Sequence, residues 1–540
     1  MVALPLFVVL AAVLGSWVVD DAGISVAYAR NLADGAGLVS QPGKAPVEGF
    51  SNFLWVVLLY PTHLLGLLHP VWTPKLVGLG CVAAAIWLAS RTLASEVRDG
   101  PTPHVTLQAL PLALVVSAPP IVIWSASGLE TGLMLLLVTL LWAELQDLSP
   151  RTAGRAGLWA TFLAMTHPEG VVYALAPALM LGPSLLRPLE RPQAARTLRR
   201  FALAAGIGLT LFFALRYELF GRLWPHPYYA KRMFPSLAAR LVDLLENPAQ
   251  IPRRLHDLSL GIGGPLGWPL VALFALGLAR VRTLQAVRPL RSLAVLATLG
   301  AGAFVFLDPD WMGEYRFGVV PVMCVRLGAA YPALHLISTI TTPGARRLIG
   351  GAAIASYSLL AALDVQRIVR FASEPTVPLA TVAAATERMD RYAELLGLRG
   401  ASILTADVGG ALLYGDLKVF DAAGLCEPDV VATLKGGTPV WLAEHPAFFD
   451  WVFERVKPTF ITTHEFWTLV TALGDDPRFA RDYLPVHAYQ DAYVARTFGR
   501  SMQSGDFVRR DALRDAADLP RLRAERFPDA PASVTQWATD

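Results

Sequence analysis

The chain has 540 residues, of which 54% are hydrophobic and 16% are charged, with a net charge of +3 and a mean hydropathy of +0.46. Soluble domains carry about 25% charged residues, so this composition excludes an ordinary soluble protein. The net charge itself says nothing about nucleic acid, but no basic stretch alternates with aromatic residues, so we expect no nucleic-acid partner. Cys81, Cys324 and Cys426 lack the number and spacing of a disulfide framework or a zinc site.

Long apolar runs fill the chain up to about residue 363, and charged residues become frequent from residue 364 onward. A helix needs about 17–25 apolar residues to cross a bilayer. We therefore predict a multi-span α-helical domain over residues 1–363 and a mixed α/β domain over residues 364–540. The candidate membrane segments are 3–19, 53–69, 75–94, 104–123, 129–147, 156–187, 201–220, 262–280, 291–307, 317–338 and 346–363.

Arginine-rich stretches between the apolar runs predict the orientation. Five arginines lie between residues 187 and 200, and a second cluster includes Arg280 and Arg282. Cytoplasmic loops are enriched in Lys and Arg, so we place these stretches inside the cell. The N-terminus is then cytoplasmic, and the C-terminal domain lies in the periplasm or outside the cell.

Two segments decide the number of crossings. Segment 53–69 contains Pro61 and Gly66, and segment 156–187 is interrupted by the polar stretch 166–170. If 53–69 only dips into the interface and 156–187 forms a helical pair, all arginine clusters lie inside, which predicts about eleven spans in the inner or plasma membrane. The alternative treats 53–69 as a span and 156–187 as one tilted helix.

Two adjacent carboxylates, Asp20 and Asp21, follow the first apolar run without a spacer. Such a pair at the outer interface can deprotonate a hydroxyl group or hold a divalent cation. We predict that one of the two is a catalytic base, and the sequence leaves open which one it is and whether a metal takes part. The alternative is a helix stop that anchors the interface.

With this orientation, the polar clusters at the helix ends fall on the outer face and predict a polar cavity. Arginine and lysine bind phosphate, and aromatic rings pack on sugar faces. The predicted donor and phosphate ligands are Arg316, Lys231, Tyr228, Tyr229, Tyr315 and Arg30. The predicted sugar or acceptor ligands are Glu48, Glu130, His167, Glu169, Asp308, Asp310, Trp311 and Glu314. The alternative is a set of solvated loop ends and an interfacial aromatic belt, with an internal Glu314–Arg316 ion pair.

Several motifs occur in an order that resembles a known enzyme group. They are residues 20–32, 35–39 and 47–55, then Ser127-Gly128-Leu129-Glu130-Thr131, His167-Pro168-Glu169-Gly170, Pro227-x-Tyr229-Ala230-Lys231, Asp310-Trp311-Met312 with Tyr315-Arg316-Phe317, Asp407-x-Gly409 and Asp421-x-x-Gly424-Leu425. Together they resemble the bacterial GT-C membrane glycosyltransferases, and in particular the mycobacterial terminal arabinofuranosyltransferase family. The resemblance covers the chain from about Asp20 to Asp429.

The resemblance implies a polyprenyl-phosphate sugar donor, a catalytic aspartate at the end of the first helix and an outward-facing active site. Asp20 or Asp21 then becomes the base that activates a glycan or glycolipid acceptor. The chain departs from some relatives at His167 and His226, which leaves the donor sugar open.

The region after residue 364 has short strand patterns at 401–406, 417–420 and 459–463. Residues 421–429 and 464–467 then either contact the acceptor or pack at strand ends. Two other functional classes stay open, a transporter or flippase for lipid-linked sugars and a non-catalytic envelope assembly subunit. The sequence leaves the oligomeric state undetermined.

Overall fold

A computed structural model describes residues 3–97, 105–231, 234, 236–280, 287–339, 342–434, 442 and 445–525. Arg282, which we placed in a cytoplasmic loop, and residues 526–540 of the predicted C-terminal domain lie outside the described residues. We call residues 3–373 the helical region and residues 379–525 the sheet region.

The helical region combines long apolar helices with shorter ones. Its helices are α1 (Ala3–Ala12), α2 (Asp20–Ala33), α3 (Phe53–Leu64), α4 (Trp72–Val97), α5 (Val105–Val116), α6 (Pro119–Ser125), α7 (Thr131–Gln146), α8 (Ala153–Thr166), α9 (Ala176–Leu185), α10 (Arg191–Phe220), α11 (His226–Lys231), α12 (Leu237–Glu246), α13 (Gln250–Gly263), α14 (Gly267–Arg280), α15 (Val287–Phe306), α16 (Val319–Thr339) and α17 (Pro343–Ser373).

Five segments of the described chain are long and apolar enough to cross a membrane. They are Trp72–Leu93, Arg191–Phe220, Gln250–Ala279, Arg288–Phe306 and Arg347–Ser373. Helix α10 exposes a row of large apolar side chains at four-residue spacing, formed by Leu203, Ile207 and Leu211. Such a row on one helix face fits contact with lipid rather than with water.

The start of the chain differs from the predicted 3–19 helix. Helix α1 ends at Ala12, and Gly15 adopts a left-handed conformation in the turn that follows. Val19 is extended and pairs with Pro378 in an antiparallel bridge. Asp20 and Asp21 therefore begin α2 instead of following α1, and carboxylates are favourable in the first turn of a helix because of the helix dipole.

The two segments that decide the number of crossings are both interrupted. Helix α3 ends at Leu64 and contains Pro61, so the predicted 53–69 segment is only partly helical. In segment 156–187, α8 ends at Thr166, and a 3-10 helix over Pro168–Leu175 separates it from α9.

A buried ion pair joins α16 to α17. Arg326 donates to both carboxylate oxygens of Asp364, at 2.6 and 2.9 Å, and Ser117 also donates to this carboxylate at 3.0 Å. Loss of either charged partner would leave an uncompensated buried charge, so the pair fixes the contact between the two helices. A domain boundary at residues 363/364 would fall inside α17.

The sheet region contains a mixed five-stranded sheet with the strand order β2-β1-β3-β5-β4. Strand β1 is parallel to β2 and β3, whereas β5 is antiparallel to β3 and β4. The strands are β1 (Ser402–Thr405), β2 (Lys418–Asp421), β3 (Phe460–Thr463), β4 (Tyr483–Gln490) and β5 (Gln503–Arg509). The helices are α18 (Leu379–Leu396), α19 (Gly409–Tyr414), α20 (Pro428–Thr433), α21 (Pro446–Asp450), α22 (Glu465–Thr471), α23 (Pro477–Asp482), α24 (Ala492–Phe498) and α25 (Asp518–Ala524).

Helix α2 connects the two regions because it holds α19 at both ends. The carboxylate of Asp20 accepts hydrogen bonds from the backbone N–H groups of Gly409 and Gly410, at 2.8 and 2.7 Å. Ten residues later, Arg30 donates to the carbonyl groups of Leu412 and Leu413, at 2.8 and 2.9 Å. The carboxylate pairs N–H groups at the start of α19, and the guanidinium pairs carbonyl groups at its end. A short helix otherwise leaves these backbone groups without hydrogen-bond partners.

This contact depends on glycine at position 409. A Cβ atom at Gly409 would lie 1.8 Å from the backbone carbonyl oxygen of Asp20, and a Cβ atom at Gly23 would lie 2.8 Å from the Gly409 carbonyl carbon. The backbones of α2 and α19 therefore lie so close together that neither position has room for a Cβ atom.

We expect Gly409→Ala to separate α19 from α2 and to destabilise the folded protein by about 1–3 kcal/mol, because overpacking forces the backbone to move. The measurement is thermal unfolding of the complete chain in lipid nanodiscs. Gly474→Ala is the matched control, since a Cβ atom there meets nothing within 4 Å. Equal unfolding temperatures for the two variants would contradict the contact.

Candidate functional site

A cavity of about 770 Å³ lies between the helical region and the sheet region. Its helical wall comes from the start of α2, from helices α11 and α12, and from the loops that precede α3, α7 and α16. Its other wall comes from loops that follow β1 and β3 and from α22 and α24. The volume is in the range of small-ligand sites.

The cavity brings together ten of the residues that the sequence predicts to bind substrate or act in catalysis. They are Asp21, Glu130, His167, Glu169, Tyr228, Lys231, Asp308, Asp310, Trp311 and Arg316. They come from five separate parts of the chain, so their convergence is a property of the tertiary structure.

Asp21 and Lys231 form an ion pair at the cavity surface. The distance from Lys231 Nζ to Asp21 Oδ2 is 3.3 Å, and the side chains of Asp21 and Lys231 are 22% and 39% exposed. Both groups can therefore reach a bound molecule. An exposed pair of this length is weak, so either partner can exchange the other for a ligand group at low cost.

Arg316 lies deeper in the cavity, and its side chain is held by one carboxylate and two rings. Its Nε atom is 2.9 Å from Asp310 Oδ2, and its guanidinium group lies 4.8 Å from the Phe317 ring centroid and 5.7 Å from that of Trp124. Its one hydrogen bond to the described residues runs from Nη1 to the sulfur atom of Met312 at 3.4 Å, and a thioether sulfur is a weak acceptor. The N–H groups of the guanidinium that point away from Asp310 therefore keep donor capacity for an anionic ligand.

The charge of Arg316 is secured by its surroundings. Burial alone would lower its pKa, but four carboxylates around it raise the pKa above its usual value. In order of effect these are Asp310, Asp21, Glu130 and Glu169. The cavity thus contains a permanent cation in a carboxylate-rich wall.

The helical wall is fixed by a chain of side-chain hydrogen bonds. Ser25 donates to Asn52 at 3.0 Å, and Asn52 donates to Glu130 at 2.7 Å. Beside this chain, His167 Nδ1 lies 3.9 Å from Glu169 Oε1. Within the described part of the chain, His167 Nδ1 and Glu169 Oε2 are buried without a hydrogen-bond partner. Buried polar atoms of this kind are candidates for contact with a ligand.

The structure corrects the expectation for Asp20. Its carboxylate is buried and faces Gly409 and Gly410 instead of the cavity. Burial raises its pKa well above the usual value, and the negative charge of Asp407 acts in the same direction. Asp20 therefore has a structural position, and Asp21 is the member of the pair that a substrate can reach.

The same geometry argues against a metal held by the acid pair. Both Asp20 oxygens already accept backbone hydrogen bonds, which leaves Asp21 without a carboxylate partner for a cation. Across the described residues, no group of three or more His, Cys, Asp and Glu side chains is arranged to hold a metal ion. The residues present do not fit a divalent cation at this position.

Glu48 and Arg30 also lie outside the cavity lining, contrary to prediction. Glu48 is buried against Arg216, with distances of 2.8 and 3.0 Å between the carboxylate oxygens and the guanidinium nitrogens. Burial raises the pKa of Glu48 to about 7, although Arg216 opposes this shift. Arg30 is engaged at the end of α19. In each case a buried charge takes the partner that offsets its desolvation.

Glu314 and Tyr315 are directed away from the cavity by the backbone. Three successive residues, Gly313, Glu314 and Tyr315, have positive φ angles of 73°, 44° and 51°. This turn places Arg316 in the cavity and directs Glu314 to Arg367, at 2.6 Å, with Tyr315 beneath the same guanidinium. The Glu314–Arg316 ion pair of the alternative interpretation does not form, because Glu314 pairs with Arg367 and Arg316 with Asp310.

Tyr229 is the remaining predicted ligand that does not line the cavity. It packs under the guanidinium group of Arg222, 4.8 Å from the ring centroid, next to His226. Burial, with the charge of Arg222, lowers the pKa of His226 to about 4. The neighbouring Tyr228 takes the cavity position instead.

Among the cavity residues of the sheet region, Asp407 and Tyr493 were in no predicted ligand set, whereas His464 lies in the stretch 464–467 that was predicted either to contact the acceptor or to pack at a strand end. Asp407 follows β1, His464 follows β3, and Tyr493 lies in α24. Because β1 and β3 are adjacent parallel strands, the residues after them meet at one sheet edge. The strand patterns at 401–406 and 459–463 indicated where the two strands end. Only the pairing of the strands in the structure shows that the residues after them lie close together.

Asp421 shapes the loop after β2 that puts Ala423 and Leu425 on the cavity wall. Its buried carboxylate accepts hydrogen bonds from the N–H groups of Gly424 and Cys426, at 3.0 and 2.7 Å. Burial raises the pKa of Asp421 to about 7 despite these bonds.

No family model and no curated protein matches the chain. Solved structures do match. ArnT from Cupriavidus metallidurans bound to undecaprenyl phosphate has a TM-score of 0.55 at 13% identity, covering 97% of this chain and 98% of that chain. The Archaeoglobus fulgidus oligosaccharyltransferase in the apo form has a TM-score of 0.51 at 11% identity, covering 86% of this chain and 69% of that one. At these identities the likeness concerns the fold, which is GT-C-like, as the motif resemblance implied.

We expect Asp421→Asn to change how stability depends on pH. The folded pKa of about 7 lies above the unfolded value of about 3.9, so the folded state retains a proton that the unfolded state releases. The stabilisation that this proton gives is complete below the unfolded pKa and is lost as the pH rises through the folded pKa. Unfolding temperatures of wild type and variant, measured across this pH interval, should therefore approach or cross each other as the pH rises.

The control for this measurement is Asp475→Asn, which removes an exposed carboxylate paired with Arg500. That variant should follow the wild-type pH profile in parallel. A parallel profile for Asp421→Asn as well would show that Asp421 is ionised in the folded protein throughout the interval.

Proposed function

We propose that the protein is a membrane glycosyltransferase that transfers a sugar from a polyprenyl-phosphate donor to a cell-envelope glycan or glycolipid. The observation that carries the proposal is one cavity that holds an accessible carboxylate, Asp21, together with two cations, Lys231 and Arg316. A base and phosphate ligands are what this chemistry demands of the protein, because the sugar phosphate already has a good leaving group.

In the proposed reaction, Asp21 takes the proton from an acceptor hydroxyl group. The acceptor oxygen attacks C1 of the donor sugar, and the bond between C1 and the phosphate oxygen breaks. The bonding electrons leave with the polyprenyl phosphate, whose charge is neutralised by Arg316 and Lys231. A positioned base contributes about 10²–10⁴-fold to the rate.

The resting Asp21–Lys231 ion pair fits this sequence of events. When the donor phosphate binds, Lys231 can turn to it and leave Asp21 free to accept a proton. Arg316 needs no such movement, since Asp310 already holds its guanidinium group from one side. Preorganised charge of this kind stabilises the transition state without a cost in rearrangement.

Apolar residues at one end of the cavity provide a route for the prenyl chain. Phe234, Leu237, Phe306 and Leu307 line the cavity between α12 and the end of α15. No residue of 53–69 is among the described lining residues, so we place the chain beside α12 instead of beside that segment. The structurally similar ArnT was crystallised with undecaprenyl phosphate bound, which supports a lipid-phosphate ligand here.

The donor sugar and the membrane orientation are inferred from the sequence. Arabinofuranose as the donor sugar rests on the resemblance to the terminal arabinofuranosyltransferase family alone. The membrane orientation, with about eleven spans and residues 364–540 on the outer face of the inner or plasma membrane, rests on the positive-inside rule. The reaction as written requires no cofactor.

We expect Asp21→Asn to lower the transfer rate by about 10²–10⁴-fold, because the amide cannot accept the proton. The measurement is transfer by the purified complete chain in nanodiscs, with polyprenyl-phosphate arabinofuranose and polyprenyl-phosphate hexoses as donors and a membrane glycan extract as acceptor. Asp475→Asn is the matched control and should keep full activity. Wild-type activity in Asp21→Asn would remove the base assignment.

The same purified protein, reconstituted in vesicles, separates the competing classes. A flippase would move the labelled donor across the vesicle membrane without forming a glycosidic product. An assembly subunit would do neither, and its cellular role would tolerate Asp21→Asn. Either pattern contradicts the proposed transferase.

We expect Lys231→Gln to raise the KM for the donor about tenfold, since a charge-assisted hydrogen bond to the phosphate is lost. Undecaprenyl phosphate should also inhibit this variant less strongly than wild type. Lys457→Gln removes an exposed lysine of the sheet region and should leave both values unchanged. Unchanged inhibition in Lys231→Gln would place the phosphate elsewhere.

A further inference from the structure

The lysine and arginine side chains that line the cavity all belong to one of its two walls. The helical wall contributes Lys231, Arg240 and Arg316, among the carboxylates already described there. The wall formed by the sheet region contributes the carboxylates of Asp407 and Glu465, and none of its described lining residues is an arginine or lysine. A phosphate group therefore finds guanidinium and ammonium partners in the helical wall only.

The wall formed by the sheet region contains a histidine–aspartate pair. The distance from His464 Nε2 to Asp407 Oδ2 is 2.8 Å. Asp407 is nearly buried, whereas the His464 side chain is 41% exposed. Within the described part of the chain, His464 Nδ1 makes no hydrogen bond. The pair thus offers a fixed imidazole edge and a carboxylate oxygen to a bound molecule.

The position of His464 is fixed by the backbone on either side of it. It directly follows β3, and Glu465 then adopts a left-handed conformation with φ of 44°. The N–H of Glu465 donates to the buried carboxylate of Asp491 at 2.8 Å. A strained residue that a buried hydrogen bond holds in place is typical of positions that orient functional groups.

Three aromatic side chains belong to the same wall as this pair. Phe466 and Tyr493 are 41% and 39% exposed, and the Trp467 ring lies 6.1 Å from that of Phe466. All three line the cavity. Flat apolar faces beside hydrogen-bonding groups are the combination that binds sugar rings, which have apolar faces and hydroxyl edges.

We propose that this wall is the acceptor subsite and that the acceptor is an uncharged carbohydrate. His464 and Asp407 hydrogen-bond its hydroxyl groups, and Trp467 and Tyr493 pack on its ring faces. The inference rests on the proposed function, since it places the acceptor opposite the donor phosphate. An acceptor with phosphate or carboxylate groups at this position would face Asp407 and Glu465 with no described arginine or lysine beside them, and His464 is already paired with Asp407.

The electrostatic surroundings of His464 support a donor role for its ring. Burial acts to lower its pKa, but the hydrogen bond and charge of Asp407, with Glu465 and Asp491, raise it above the usual value. A protonated ring presents Nδ1–H to an acceptor oxygen.

The test uses the complete chain in nanodiscs and measures saccharide binding by saturation-transfer NMR. The probes are uncharged hexasaccharides of arabinofuranose and of glucose, each also in a phosphorylated form. Wild type should bind at least one uncharged probe with a Kd of about 1 mM or tighter and should bind its phosphorylated form more weakly. His464→Ala and Trp467→Ala should each weaken this binding about tenfold.

The control is His445→Ala, which removes a histidine of the sheet region outside the cavity lining and should bind like wild type. Binding of undecaprenyl phosphate should be unchanged in all three variants. Tighter binding of a phosphorylated probe, unaltered binding in both cavity variants, or no binding of any uncharged probe would overturn the inference.

The outcome is distinguishable from failure of the proposed function. Saccharide binding that depends on His464, together with full activity of Asp21→Asn, would remove the base assignment and keep the subsite. Loss of transfer in Asp21→Asn without saccharide binding that depends on His464 would keep the base assignment and remove the subsite. In transfer assays, the cavity variants should raise the acceptor KM with little change in kcat or donor KM.

Discussion

The structure depends on one buried carboxylate that joins its two regions. Asp20 begins α2 in the helical region and accepts hydrogen bonds from Gly409 and Gly410 at the start of α19 in the sheet region. Burial of a carboxylate without hydrogen-bond partners would destabilise the folded protein by several kcal/mol. The contact between α2 and α19 therefore requires these two N–H groups as well as close packing. Together with the hydrogen bonds of Arg30 at the other end of α19 and the Lys44–Glu427 ion pair, it holds the two regions together beside the cavity.

The same contact separates the roles of two neighbouring acids. Successive residues of a helix point about 100° apart, so when Asp20 faces α19, Asp21 is directed to Lys231 and the cavity. The sequence suggested a site with two carboxylates. In the structure, Asp20 holds α19 and only Asp21 is accessible from the cavity.

Features that depend on local pattern could be predicted before the tertiary structure was known. Strands β1, β2 and β3 lie within the predicted strand stretches or one residue beyond them, and the interruption after Thr166 appears as polar residues in an apolar run. The two antiparallel strands β4 and β5 have no comparably apolar run and were not predicted. Helix α1 ends at Ala12, although the apolar run continues to the extended residue Val19, which pairs with Pro378. The predicted helix was too long because hydrophobicity alone does not distinguish a helix from an extended segment.

From the sequence alone, the length of the apolar runs predicted a membrane protein, and the order of its motifs gave the resemblance to GT-C glycosyltransferases and a candidate site near the first acid pair. Only the tertiary structure decided which predicted residues meet. Glu48, Arg30 and Glu314 are as polar as Glu130, Lys231 and Asp310, yet the first three are paired with Arg216, α19 and Arg367 outside the cavity. The partner that offsets the desolvation of each charge is distant in the chain, so no sequence pattern records it.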